Sequence, residues 1–174
     1  MGINAVKEKI RDVMDFPKEG ILFKDITTAI RDAKTLKIIV DYMVEQFKDK
    51  KIDYVVGIES RGFIFSTSLA YNLDAGVVLI RKPGKLPYKT IYETYDLEYG
   101  TDEVHMHIDA VEPGKNVLIV DDLLATGGTV SAACKLLKKA GANVVGTCFF
   151  IELGDLNGRA KIPTDVEVVS MITF

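Results

Sequence analysis

Cysteine is scarce in this chain, with Cys134 and Cys148 the only two in 174 residues. One falls in a helical apolar pattern and the other in a strand-like apolar run, with no C-x-x-C spacing. Both therefore read as buried thiols rather than a disulfide or a metal pair. Long apolar runs are missing as well. No stretch approaches the roughly 18 residues of a membrane span, and Met1 to Asn4 lack the basic region and apolar run of a secretory signal. A cytoplasmic protein is the expectation. Charge of one sign is also lacking, since 22 Lys and Arg stand against 25 Asp and Glu for a net −3. A nucleic-acid binder carries a basic excess or a basic face, so any phosphate must be recognised at a small, local site. Neither G-x-x-x-x-G-K-[ST] nor G-x-G-x-x-G occurs, which sets aside the triphosphatase loop and the dinucleotide fingerprint. His105 and His107 have no third ligand at usable spacing, and no Ser-His-Asp or Cys-His arrangement is suggested.

What is present is the balance of a single globular domain, 48% apolar and 27% charged. A domain of this length buries about two thirds of its unfolded surface and needs no disulfides. Leu36, Ile39, Val40, Met43, Val44 and Phe47 form a helical stripe. An earlier helix is expected through Ile3, Val6, Ile10 and Val13, ending before Phe16-Pro17. Short apolar runs follow at Asp53 to Ile58, Gly76 to Ile80, Asn116 to Val120 and Val144 to Ile151, with helical stretches at Phe63 to Leu73 and about Thr129 to Ala140. Apolar strands without alternation, separated by helices, predict an α/β fold with a twisted, mainly parallel sheet covered on both faces. Pro83 to about Glu103 breaks the rhythm. Segments this long between strands are usually lids or binding loops, and a loose hairpin from Tyr92 to Ile108 around Gly100-Thr101-Asp102 fits it.

Ligands of open parallel sheets bind beyond the carboxyl ends of the strands. There this sequence places Glu59-Ser60-Arg61, Arg81-Lys82, and Asp121-Asp122 followed by Ala125-Thr126-Gly127-Gly128-Thr129. Two glycines bring backbone N–H groups close to an anion, and the helix start behind them favours a phosphate. Gly-Gly is also an ordinary turn. Adjacent acids beside it suit the vicinal hydroxyls of a ribose, although a capping acid next to a solvent-facing one would look the same. Arg61, Arg81, Lys82 and Lys85 each read as surface cations alone; together they suggest a second anion such as a diphosphate. Phosphate, ribose and diphosphate in that order describe 5-phosphoribosyl 1-diphosphate.

Val117 to Thr129 (V-L-I-V-D-D-L-L-A-T-G-G-T) resembles the signature of the type I phosphoribosyltransferases. Phe16 to Thr27, Gly57 to Phe65, Leu79 to Pro87 (L-I-R-K-P-G-K-L-P) and Tyr95 to Gly100 (Y-D-L-E-Y-G) extend the resemblance over nearly the whole chain and narrow it to members that use adenine. It implies a hood at about residues 1–35, a long flexible lid at about 83–104, transfer of phosphoribosyl to adenine giving AMP, and a homodimer. By the same resemblance Ala125, Thr126, Gly127, Gly128 and Thr129 hold the 5-phosphate, and Asp121 and Asp122 the ribose. Ser60, Arg61, Arg81 and Lys85 meet the diphosphate, the last two reaching across to a neighbouring subunit. Leu22, Phe23 and Lys24 read the base, with Leu123 on its other face and Glu98 and Tyr99 approaching from the lid. Glu98 and Arg61 are the catalytic candidates. Mg²⁺ is expected on the substrate, with no protein metal site. Another base, or a non-catalytic regulator binding phosphoribosyl diphosphate, are the alternatives.

Overall fold

The computed structural model describes residues 2–96 and 100–174. A short helix, α1 (Ile3–Lys7), leads into an antiparallel hairpin, β1 (Arg11–Met14) with β2 (Leu22–Asp25). Then come α2 (Thr27–Ile30) and α3 (Ala33–Phe47), the latter started by Asp32, whose carboxylate accepts the Thr35 N–H at 2.9 Å. Next in order are β3 (Tyr54–Ile58), α4 (Gly62–Leu73), β4 (Gly76–Ile80), β5 (Thr90–Asp96) and β6 (Thr101–His107). They are followed by β7 (Asn116–Leu124), α5 (Gly128–Lys139), β8 (Asn143–Glu152) and β9 (Glu167–Thr173). The central sheet has the order β4-β3-β7-β8-β9 and all its pairings are parallel.

The inner strands of that sheet, β3, β7 and β8, are covered on both faces, which is why they read as unbroken apolar runs. Along β7, Leu118 and Val120 join Ile39, Met43, Phe47, Phe65 and Leu69 from α3 and α4. Val117 and Ile119 turn the other way, onto Val130, Leu136 and Leu137 of α5 and Val104 and Met106 of β6. The expected early helix is cut short. It stops at Lys7, and Arg11 to Met14 instead pair with Asp25 to Leu22. Val6, inside the helix, and Ile10, three residues beyond its end, are both buried; Val13, opposite Phe23, answers to its strand partner. The hairpin expected from Tyr92 to Ile108 is present as the ribbon of β5 and β6, paired from Thr90↔His107 to Asp96↔Thr101. Paired backbone bonds between Arg81 and His105, 2.9 and 2.8 Å, stitch this ribbon to the end of β4.

Candidate active site

β7 does not end at Val120. Its pairing with β8 continues through Asp121↔Phe149 to Leu124↔Glu152, so both acids lie inside the strand. Neither is solvent-facing: Asp122 is 4% exposed and Asp121 is half-buried, its Oδ1 accepting the Asp122 N–H at 2.8 Å. Burial raises the Asp121 carboxyl well above its ordinary range, with the neighbouring Asp122 charge adding to it. Burial also raises Asp122, against the opposing pull of Arg61. A site able to hold hydroxyls between two such acids gains from every donor it receives.

Beyond Leu124 the chain turns at Gly127, whose φ of 79° suits glycine, and α5 begins at Gly128. Its first backbone bond runs from Ser131 N to Gly127 O at 3.0 Å, which leaves the preceding N–H groups as helix-start donors. Ala125 to Thr129 line a concavity of about 80 Å³ with Asp121 and Leu123 beside them. A phosphate-sized anion fits there, against the positive end of α5. The ribbon leans on the same place, with the Tyr95 ring 3.1 Å from where a Cβ on Gly128 would lie.

Glu59, Ser60 and Arg61 follow β3, with the Glu59–Ser60 peptide cis. Arg61 Nε lies 2.8 Å from Asp122 Oδ2, and its guanidinium carbon is 5.2 Å from the centre of the Phe23 ring. One arginine thus joins the hood to the acid pair. The cations are more compensated than the sequence suggested. Arg81 grips Glu59 at 3.1 and 3.2 Å and donates to the Lys85 carbonyl at 3.0 Å, while Lys82 is held by Asp102 and Tyr95. Burial pushes the Glu59 carboxyl up, but the Lys82 N–H and Arg81 outweigh it and keep it below the usual range. Lys85 and Ser60 are exposed.

In the hood Phe23 meets Phe16 edge-on at 5.0 Å, and Leu22 stands exposed beside it. Lys24 turns to the other side of β2, where it pairs with Asp12 at 2.7 Å and lies 4.1 Å from the Phe174 ring centre. Leu123 is half-buried at the mouth of the glycine loop. Glu98 and Tyr99 lie outside the described residues. The structure therefore gathers Phe23, Arg61, Asp121, Asp122 and the glycine loop, and ties Arg81 to Glu59 and Lys82 to Asp102, pairings that sequence reasoning did not foresee. The pairings of Glu59, Tyr95 and Asp102 left no local signal, because each runs across about 7 to 23 positions of chain.

A model of the phosphoribosyl transferase domain matches residues 27–173. The chain belongs to that family. Adenine phosphoribosyltransferase of Geobacter metallireducens is 52% identical over 172 residues, covering 99% of this chain and all of that one. The enzyme of the same name from a Bradyrhizobium species is 54% identical over 170 residues, 97% of this chain and 95% of its own. Among solved structures, the Rhodothermus marinus adenine phosphoribosyltransferase superposes with a TM-score of 0.96 at 50% identity, covering 99% and 98% of the two chains. The Saccharomyces cerevisiae enzyme, solved with an imino-altritol bisphosphate and adenine, gives 0.91 at 38% identity over 98% of each chain.

Proposed function

We propose that this chain transfers the 5-phosphoribosyl group of 5-phosphoribosyl 1-diphosphate to adenine, giving AMP and diphosphate, as in purine salvage. The observation that carries it is the run of one strand, one turn and one helix that sets Asp121 and Asp122 beside the glycine loop, with Arg61 and Phe23 above. The 5-phosphate rests on the N–H groups of Ala125 to Thr129, and the ribose hydroxyls donate to the two acids. The bond from C1 to the diphosphate oxygen breaks with oxocarbenium character, and a ring nitrogen of adenine forms the new bond at C1. Arg61 leaves Asp122 for the departing diphosphate, and Ser60 and Lys85 assist it. Adenine stacks on Phe23 between Leu22, the Lys24 backbone and Leu123. Glu98 takes the proton lost from the purine, Tyr99 stands beside it, and the segment at 83–104 closes over residues 1–35 to exclude water.

No three His, Cys, Asp or Glu side chains gather as a metal cage among the described residues. A Mg²⁺ ion carried on diphosphate oxygens and water would supply charge neutralisation to the leaving group. Two free buried thiols, Cys134 and Cys148, suit the reducing cytoplasm, and no helix of the described residues is long and apolar enough to cross a membrane. A homodimer is supported by large apolar side chains exposed among the described residues of α4 and β4, Ile64, Tyr71, Val77 and Leu79.

The test is diphosphate release from phosphoribosyl diphosphate, with and without Mg²⁺, offering adenine, hypoxanthine, guanine and xanthine separately. Turnover with adenine alone and only with Mg²⁺ is expected. Turnover with a different base would overturn the reading of the hood, and silence with all four would overturn the enzyme.

A further inference from the structure

Behind the glycine loop lies a second turn that touches no substrate in the proposed reaction. After β8 the chain makes two short 3-10 turns, Gly154–Leu156 and Gly158–Lys161, joined by Asn157 with a φ of 48°. Gly158 is buried, and its backbone lies flat against the loop. A Cβ on Gly158 would run into the carbonyl oxygen of Ala125 and come 3.0 Å from Gly127 N, while a Cβ on Gly127 would run into the Gly158 carbonyl. Each obstacle is backbone rather than the end of a side chain, so nothing swings aside. The curve of the loop is moulded on Gly158.

Arg159 holds that mould in place. Its Nε and Nη2 grip the two oxygens of Glu152 at 2.6 and 2.7 Å, Nη1 donates to the Val168 carbonyl at 2.9 Å, and Nη2 reaches Ser170 Oγ at 3.3 Å. Such a two-pronged grip fixes direction as well as distance. Glu152 is buried and stands in register with Leu124, the residue before Ala125, and Leu153 N donates to Leu124 O at 2.9 Å. Burial would raise the Glu152 carboxyl, but hydrogen bonds from Arg159 and Ser170 outweigh it and keep it ionised. The chain thereby closes a bracket, from the end of β7 through Glu152 and Arg159 to Gly158 and back onto the loop.

We infer that Gly158, held by the Glu152–Arg159 pair, is a positioning residue that sets the shape of the phosphate loop and with it the affinity for the phosphorylated end of the substrate. The inference rests on the phosphoribosyl reading above. Its test measures ribose 5-phosphate binding by calorimetry on the full chain, together with both KM values and Tm. Gly158→Ala and Arg159→Lys are compared with Asp155→Ala, an exposed change on the neighbouring turn. Gly158→Ala is expected to weaken ribose 5-phosphate and raise the KM for phosphoribosyl diphosphate by about tenfold to a hundredfold. Arg159→Lys should do the same more mildly, and Asp155→Ala should match the wild type. The KM for adenine should stay near wild type throughout, while Tm should fall in Gly158→Ala, whose new Cβ meets backbone, and in Arg159→Lys, which loosens the ion pair with buried Glu152. Unchanged binding in Gly158→Ala overturns the inference, as does a parallel rise of both KM values. Should Gly158→Ala not fold, the same outcomes in Arg159→Lys support or overturn it. A wild type that binds no ribose 5-phosphate would instead bring down the phosphoribosyl reading itself.

Discussion

Arg61 sits where three demands meet, 2.8 Å from a buried acid, over an aromatic ring, and at the start of α4. Removing it leaves Asp122 without its cation and the leaving group without a partner, so Arg61→Ala should lower kcat/KM by about 10²–10³-fold. Arg61→Lys should recover only part, since an ammonium neither forks nor stacks; steady-state kinetics with adenine decide it, and an unchanged value removes Arg61 from the reaction. Asp121 makes the opposite kind of trade. Its carboxyl is raised above 3.8 in the fold, chiefly by burial. Stability from such a group is fully present below its unfolded value and is lost as pH rises through the folded one. Asp121→Asn, which cannot ionise, should therefore raise Tm at pH 7 by about 2–4 °C for each kcal/mol relieved, with the advantage shrinking toward pH 4. The same change should cost about tenfold to a hundredfold in kcat/KM through the lost ribose bond. Thermal scans across pH check the first part, and a Tm that falls at pH 7 refutes it. The residues of this trade were legible because V-L-I-V-D-D-L-L-A-T-G-G-T is one unbroken piece of chain. The ties of Arg81 to Glu59 and of Lys82 to Asp102 were not, because they span 22 and 20 residues and carry no periodic mark.

Among elements, β2 has the least of its own to hold it. It is four residues long, pairs only with β1, and presents Phe23 to the site. Its other side is docked through Lys24, whose ammonium lies 4.1 Å from the Phe174 ring centre, with Lys7 on the same ring at 4.2 Å. Each such contact is worth about 0.5–2 kcal/mol. Phe174→Ala should free β2 and raise the KM for adenine about threefold to tenfold, leaving the KM for phosphoribosyl diphosphate in place. A parallel rise of both would assign Phe174 to general stability instead. The elements that sequence reading captured are those that make apolar runs or helical stretches, β3, β4, β7, β8, α3, α4 and α5. It missed β9, an edge strand whose Glu167, Val168, Val169 and Ser170 keep some exposure and make no apolar run. It misread β1, where Ile10 and Val13 continue a helical spacing that cross-strand pairing overrides.

At the scale of the whole molecule, one apolar face has no cover. Val78 and Ile80 of β4 point into the core shared with α5, which turns Val77 and Leu79 to the α4 side, where both are exposed. Ile64 and Tyr71, seven residues apart on α4, stand exposed on the helix's outer side, Tyr71 beside Leu36 and Val40 of α3. β4 is an edge of the central sheet, and soluble proteins seldom leave a wide apolar edge open to water. A second copy of the chain is the occupant that the homodimer reading supplies, and in that reading Arg81 and Lys85, just past the end of β4, serve the neighbouring site. Light scattering on the eluting protein should then give about twice 19.2 kDa. The double change Tyr71→Asp with Val77→Asp places two charges in that face and should halve the mass, because an unpaired charge in a dry interface costs several kcal/mol. Both side chains are exposed in the single chain, so the fold itself should survive, with Tm and circular dichroism as the check. Turnover should fall with the mass if Lys85 and Arg81 act across subunits. A monomer that keeps full turnover would confine the active site to one chain, and a wild type eluting at 19.2 kDa would end the dimer reading.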